Sequence, residues 1–180
     1  MTTYVKVKNL NEETIQKFKS LFETENPDSS YVSIVNHLNK VYGTNLTEFD
    51  RDWMVENVGS KWLTIEFDGS EITTEADLII ESAYSVPTEY LQSLVNYLYQ
   101  ENNDVVLYGT YEDESYNPIG AFVFAFDYDD IEDYDDLDPE KMWEDDDYRE
   151  EIYDQLYGHR DSLYEGYLEV LKEREEDDSF

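Results

Sequence analysis

Hydrophobic residues follow two kinds of pattern along most of the chain. Five segments alternate with polar residues or form short apolar runs, as β-strands do: 3–8, 61–67, 77–84, 104–111 and 118–127. Three segments place apolar residues at helical spacing: 12–23, 31–42 and 88–100. Asn11 or Thr14 is suited to cap the first helix, and Gly43 is a natural end for the second.

The order of these elements predicts the fold class. It reads β, α, α, β, β, α, β, β, with a pair of consecutive strands in the middle. This order is typical of the split βαβ plan, in which helices connect the strands of one antiparallel sheet. We therefore expect residues 1–126 to form an α+β, ferredoxin-like domain with helices on one face of the sheet.

Residues 127–180 are predicted to form a separate acidic helical extension. Residues 127–138 have the composition of a loop or linker, and Pro139 is a favoured first residue of a helix. Beyond it, apolar residues form a single helical stripe: Ile152, Leu156, Leu163, Tyr167 and Leu171. Such a stripe packs against another element, so we expect a helix over 140–175 with its acids outward. Gly158 is a potential break in this helix.

The negative charge of the protein is concentrated in this extension. The 180 residues include 45 Asp and Glu against 12 Lys and Arg, for a net charge of −33. Residues 127–180 contribute −19 of it, from 24 acids and five bases. A halophilic protein would spread its acids evenly, and a solvated acidic tail would lack the apolar stripe. A surface of this sign repels nucleic acid and attracts the proteins that bind it.

Composition also argues against several kinds of site. The chain has no Cys, which excludes disulfides, thiolate nucleophiles and zinc–thiolate sites. It has no apolar run of membrane-spanning length and no signal-peptide pattern, so we expect a cytoplasmic protein. His37 and His159 lack the paired spacing of a metal site, and an EF-hand loop from Asp127 or Asp133 lacks the glycine at position 6. We therefore predict no metal, no cofactor and no catalytic residue.

The middle of the chain carries three motifs in a fixed order. They are Trp53 followed by Asn57-Val58-Gly59-Ser60-Lys61-Trp62, then Glu81-Ser82-Ala83-Tyr84-Ser85-Val86-Pro87, then Tyr111-Glu112 followed by Gly120. Over about residues 50–126 they resemble the YubB-type ferredoxin-like family of plasmid and phage proteins. The resemblance implies a ferredoxin-like fold and a mobile-element source, and it implies no defined biochemical activity.

Charge spacing suggests that the extension imitates nucleic acid. If residues 127–180 were wholly helical they would span about 80 Å, with an acid about every 3.4 Å, the phosphate spacing of one B-DNA strand. We therefore expect a DNA-mimic inhibitor from a phage or mobile element. It would occupy the nucleic-acid-binding surface of a basic host defence protein of the restriction, BREX or CRISPR type. The predicted partner-binding residues are the carboxylates Asp127, Asp129, Asp130, Glu132, Asp133, Asp135, Asp136, Glu144, Asp145, Asp146, Asp147, Glu150, Glu151 and Asp154.

Two other interpretations stay open. The first is a non-catalytic YubB-like accessory protein that binds another basic protein. The second is an enzyme with a small pocket at residues 57–62, although a turn packed under Trp62 is the commoner explanation of such a segment. None of them includes direct contact with nucleic acid or a membrane, and a homodimer is compatible with each.

Overall fold

The computed structural model describes residues 1–23, 34–67, 72–100 and 104–179. The strands are β1 (Thr2–Lys8), β2 (Leu63–Phe67), β3 (Ala76–Ser82), β4 (Val106–Glu112), β5 (Ile119–Ala125) and β6 (Tyr128–Asp133). The helices are α1 (Glu12–Leu21), α2 (Ile34–Tyr42), α3 (Arg51–Val58), α4 (Thr88–Leu98), α5 (Pro139–Glu144) and α6 (Asp146–Asp178). None of these helices combines the length and the apolar character needed to cross a lipid bilayer.

The six strands form one antiparallel sheet in the order β2-β3-β1-β4-β5-β6. The prediction of an α+β protein with an antiparallel sheet is therefore confirmed. Val5 of the central strand β1 lies opposite Leu78 of β3 and Gly109 of β4. Gly109 is required at this point, because an added Cβ would lie 1.8 Å from the Tyr4 carbonyl oxygen.

The first face of the sheet holds the main core. In β1 and β3 every second residue is buried, so that Val5, Val7, Leu78 and Ile80 point inward. Helices α1, α2 and α4 cover this face with apolar residues such as Phe18, Leu38, Leu91 and Leu94. The alternation of buried residues in these strands and the helical spacing of buried residues in these helices both agree with the patterns that the sequence predicts.

The second face is covered by α6, but only over half of its width. Residues of β4 and β5 that point to this face are buried beneath Leu163 and Tyr167: Val106, Tyr108, Ala121, Val123 and Ala125. Helices α1, α2 and α4 of residues 1–126 thus lie on the first face, and α6 of the extension lies on the second. The sequence indicates a buried stripe in this helix without indicating the surface that buries it.

The beginning of the acidic segment is a strand, and its prediction as a loop or linker is wrong. β6 pairs with β5 along its whole length, from Tyr128 opposite Ala125 to Asp133 opposite Gly120. Hydrogen bonding to a formed neighbour outweighs the low β-propensity of its acids, which point to solvent at the edge of the sheet. Pairing of β6 with β5 and packing of α6 both cross residue 126, and the division into domains at that residue stays a prediction.

The helical part of the extension is confirmed, with one break at a different position. α5 ends at Glu144, and the next residue is Asp145, whose carboxylate accepts a hydrogen bond from the Tyr148 N–H at 3.0 Å and caps α6. α6 then continues through Gly158, because Leu156 and Leu163 on either side are both anchored in packed clusters.

Differences in the middle of the chain are smaller. Helix α3 was not predicted; Asp50 caps it by accepting hydrogen bonds from two backbone N–H groups, and Gly59 ends it with a φ of 79°. The second predicted helix is observed from Ile34 onward, and its first residues, 31–33, lie outside the described residues. The predicted turn at Asp68-Gly69 also lies outside them.

Candidate functional site

The predicted carboxylates of β6 lie along an exposed edge of the sheet. Strand alternation divides them between the two faces. Asp130 and Glu132 pair in register with Val123 and Ala121 and so share the face on which α6 lies, whereas Asp129 and Asp133 share the opposite face. The β6 acids therefore do not form a single row, although all but the half-buried Asp130 are exposed.

The remaining predicted carboxylates surround the junction of β6, α5 and α6. They are all exposed and comprise Asp135, Asp136, Glu144, Asp145, Asp146, Asp147, Glu150, Glu151 and Asp154. Asp145 has the additional role of capping α6, and Asp146 forms an ion pair with Arg149. The other members of this set at the start of α6 form no ion pair among the described residues.

A small apolar cluster holds this junction together. Met142 of α5 and Ile152 and Leu156 of α6 pack with Ile119 of β5, and each of the four is at most 3% exposed. Polar contacts add to it: the Tyr148 hydroxyl accepts a hydrogen bond from the Asp138 N–H at 2.8 Å. The carboxylates around the junction therefore sit on a packed support, which fixes their positions.

Neighbouring tyrosines respond to this negative field. Burial raises the pKa of Tyr111. The carboxylate of Asp133 raises this pKa further, because its Oδ1 accepts a hydrogen bond from the Tyr111 hydroxyl with an oxygen–oxygen distance of 2.5 Å. Burial likewise raises the pKa of Tyr134, with Asp136 and Glu151 adding to the effect. Asp136 precedes α5 and Glu151 lies on α6, so carboxylates from both sides of the junction act on Tyr134.

The acidic helix is shorter than the upper limit set by a wholly helical extension. α6 is about 50 Å long, since it has 33 residues. It carries 13 Asp and Glu against four Lys and Arg, so that an acid follows about every 4 Å along its axis. The density remains close to the phosphate spacing of one DNA strand. The length of a wholly helical extension is not reached, because β6 pairs with β5 in the sheet.

A second feature, which the sequence analysis missed, is a groove of about 530 Å³ between α6 and the open half of the second face. Tyr4 and Ile79 form part of its floor, and Tyr153, Tyr157 and Arg160 of α6 line it. The only local signal is the placement of Tyr153 and Tyr157 beside the buried stripe of α6, one helical turn apart.

Glu112 joins the two sides of this groove, which we call the tyrosine groove. Its Oε1 accepts a hydrogen bond from the Tyr4 hydroxyl at 3.2 Å, and its Oε2 accepts one from the Tyr153 hydroxyl at 2.6 Å. Burial, with a contribution from Glu112, raises the pKa of Tyr4 to about 12 and also raises the pKa of Tyr153. Both tyrosines are therefore neutral donors at physiological pH.

The segment from Asn57 to Trp62 forms a turn beside a second cavity of about 500 Å³, which Gly59 and Glu89 line. The Ser60 hydroxyl donates to the Trp62 carbonyl at 2.8 Å and accepts from the Ala83 N–H at 2.9 Å, which fixes the turn. Trp62, at the end of this segment, is 45% exposed. The lining of this cavity among the described residues contains no His and no Lys or Arg.

His37 lies away from both cavities, in the main core. Its Nδ1 lies 3.1 Å from the Leu21 carbonyl oxygen, which only accepts, so Nδ1 carries the proton. Nε2 then accepts a hydrogen bond from the buried Tyr90 hydroxyl at 2.7 Å. The geometry assigns His37 to the core. Within the described ranges, no group of three or more His, Cys, Asp and Glu side chains is arranged to hold a metal ion.

Comparisons with protein-family models, with curated proteins and with solved structures find no match to this chain. The resemblance to the YubB-type family therefore stays a prediction. Function has to be argued from the surface itself.

Proposed function

We propose that the protein is a DNA-mimic inhibitor that binds the nucleic-acid-binding surface of a basic host defence protein. The observation that carries the proposal is the arrangement of the junction of β6, α5 and α6. It presents nine exposed carboxylates on a support held by buried Met142, Ile152 and Leu156. The protein would act without catalysis, in the cytoplasm of the host.

The cost of this arrangement supports a role in binding. Asp146 and Glu150, Asp147 and Glu151, and Glu150 and Asp154 are each four residues apart on α6. Like charges at that spacing destabilise a helix, typically by about 0.2–0.5 kcal/mol per pair. A groove of Lys and Arg on a partner would reverse the sign of these interactions and speed association.

The topology is compatible with the proposed origin. We infer that β1, β2, β3 and β4 follow the ferredoxin-like plan, because they lie in the order β2-β3-β1-β4 with helices between β1 and β2 and between β3 and β4. β5 and β6 extend that unit. A source in a phage or other mobile element rests on the resemblance to the YubB-type family.

A non-catalytic accessory protein with another basic partner is the second candidate. Exposed aromatic residues favour it: Trp143 of α5 is 62% exposed and Tyr84 is 80% exposed. Trp is enriched at binding hot spots, where shape and apolar contact contribute more than net charge. The two candidates differ in salt dependence. A charge-dominated complex weakens steeply between about 50 and 500 mM salt, and an apolar one does not.

The deciding experiment neutralises one part of α6 and leaves the other charged. In the junction variant, Glu144, Asp145, Asp146, Asp147, Glu150 and Glu151 become Gln or Asn; Asn at position 145 retains the helix cap. The matched control neutralises six exposed acids at the far end of the same helix: Glu169, Glu173, Glu175, Glu176, Asp177 and Asp178. Both variants change the net charge by the same amount.

The assay is competition with double-stranded DNA for a basic protein captured from host lysate by the full chain. We expect the junction variant to lose competition and the control to keep it, while circular dichroism shows equal helix content. Equal competition by the junction variant and the unmodified protein would refute DNA mimicry at this surface. Equal loss in both variants would show that net charge alone is responsible.

A further inference from the structure

The tyrosine groove contains one carboxylate without a cationic partner. Of the charged residues that line it, Lys6 pairs with Asp77 at 3.5 Å, and Arg160 pairs with the neighbouring Asp161 at 3.0 Å. Glu112 takes part in no ion pair among the described residues, and its hydrogen bonds come from the neutral hydroxyls of Tyr4 and Tyr153. The carboxylate of Glu112 is therefore held in place, with no Lys, Arg or His nitrogen of the described residues within 4.0 Å.

The aromatic residues around Glu112 suit a planar cation. Tyr4 is 42% exposed and Tyr157 is 43% exposed, so rings at both sides of the groove are accessible. The Arg160 guanidinium already lies 5.0 Å from the centre of the Tyr157 ring, so one cation–π contact of this kind exists in the groove. Guanidinium groups stack on tyrosine rings and form paired hydrogen bonds with carboxylates.

Glu112 has room for such a ligand. A carboxylate offers about four acceptor positions, and the two tyrosine hydroxyls occupy one position on each oxygen of Glu112. One position on each oxygen remains, which is the number that a bidentate arginine uses. The two hydroxyls also prevent the carboxylate from rotating, so little ordering is needed on binding.

We propose that the tyrosine groove binds an arginine side chain of the partner protein, with its guanidinium on Glu112 and against the rings of Tyr4 and Tyr157. The inference rests on the proposed function only in taking the partner to be a basic protein. A second copy of this chain is a poor occupant, because two molecules of net charge −33 repel each other. None of the junction carboxylates lines the groove, so the two surfaces are separable by mutation.

The test titrates the full chain, labelled with 13C in its tyrosine rings, with N-acetyl-arginine methylamide. N-acetyl-norleucine methylamide serves as the uncharged probe of similar length. We expect saturable NMR shifts at Tyr4, Tyr153 and Tyr157 with the arginine probe and none with the norleucine probe. The highly exposed ring of Tyr84 lies outside the groove and is the internal reference.

Two pairs of variants separate a specific site from general electrostatic attraction. Glu112→Gln is expected to weaken binding of the arginine probe about tenfold, since it removes a charge-assisted pair of hydrogen bonds. Glu165→Gln removes the same charge from the exposed surface of α6, at a residue outside both the groove and the junction, and should change affinity less than twofold. Tyr157→Ala, at an accessible ring, should weaken binding several-fold, and Tyr84→Ala should not.

Three outcomes would overturn the proposal: equal weakening by Glu112→Gln and Glu165→Gln, shifts that fall mainly on tyrosines outside the groove, or equal binding of the norleucine probe. The last would indicate an apolar groove. If Glu112→Gln fails to fold, Tyr157→Ala decides, because it leaves Glu112 and its hydrogen bonds intact. Failure here leaves DNA mimicry standing, whereas failure of the junction variant leaves the arginine site standing.

Discussion

Ending the chain after Phe126 tests how far the sheet depends on the acidic segment. This truncation retains every predicted element of the N-terminal domain, and the sequence analysis expects it to fold. It also removes β6, α5 and α6. The truncation would expose to solvent residues of the second face that are at most 5% exposed in the full chain, among them Val106, Tyr108 and Val123.

The loss of stability follows from that exposure. Full burial of a large apolar side chain contributes about 1.5–3 kcal/mol. Four large side chains lose their cover on this face: Val106, Tyr108, Ile119 and Val123. Their combined contribution is about 6–12 kcal/mol, comparable to the whole stability of a typical domain. Truncation would also leave β5, an apolar strand, as an unprotected edge that favours aggregation.

We therefore expect residues 1–126 to be largely unfolded or aggregated. The assay is urea unfolding of the truncated and full chains, followed by near-ultraviolet circular dichroism. Leu163→Ala in the full chain is the milder comparison and should cost about 2–5 kcal/mol, since Leu163 is buried on the second face. A truncated chain that unfolds cooperatively, within about 2 kcal/mol of the full chain, would refute this reasoning and support an independent domain.

Two further predictions concern His37 in the main core and Gly59 at the end of α3. Burial lowers the pKa of His37 to about 4, so it stays neutral when folded and takes up a proton near its usual pKa of 6.5 when unfolded. The contribution of neutral His37 to the free energy of unfolding, about 3 kcal/mol, is present above pH 6.5 and is lost as pH falls towards 4. An NMR titration of His37 with a midpoint near 6.5 would contradict this expectation. Gly59→Ala should cost about 1–2 kcal/mol in thermal unfolding, because Gly59 has a φ of 79°, and an unchanged melting temperature would exclude strain there.

The strands that the sequence predicts well are those with one buried face and one solvent-exposed face. In β3, buried Leu78 and Ile80 alternate with the exposed Asp77 and Ile79, and the alternation follows directly from that geometry. β4 and β5 are buried on both faces and read as apolar runs, which still indicate strands. β6 carries no such signal, because four of its six residues are acidic and its pairing is provided by β5.

The tyrosine groove could not be predicted from local patterns. Tyr4, Glu112 and Tyr153 come from β1, β4 and α6, and more than 40 residues separate each pair in the sequence. They meet because β1 and β4 are neighbours in the sheet and because α6 crosses the face of β4. A periodic apolar stripe indicates that a helix buries one side. Only the fold indicates which side chains of other elements lie next to the edge of that buried stripe.

Carboxylates on β6 and on α6 call for different explanations. An edge strand exposes unpaired backbone groups, and charges on it prevent pairing with other chains. Asp129, Asp130, Glu132 and Asp133 would protect this edge even in a protein with no acidic partner. No such role exists for Glu150 or Glu151, because a helix has no edge to protect and like charges four residues apart destabilise it. Asp147 lies in the first turn of α6, where a carboxylate also stabilises the helix N-terminus. Neutralising acids at the start of α6, and not those of β6, is therefore the informative test of nucleic-acid imitation.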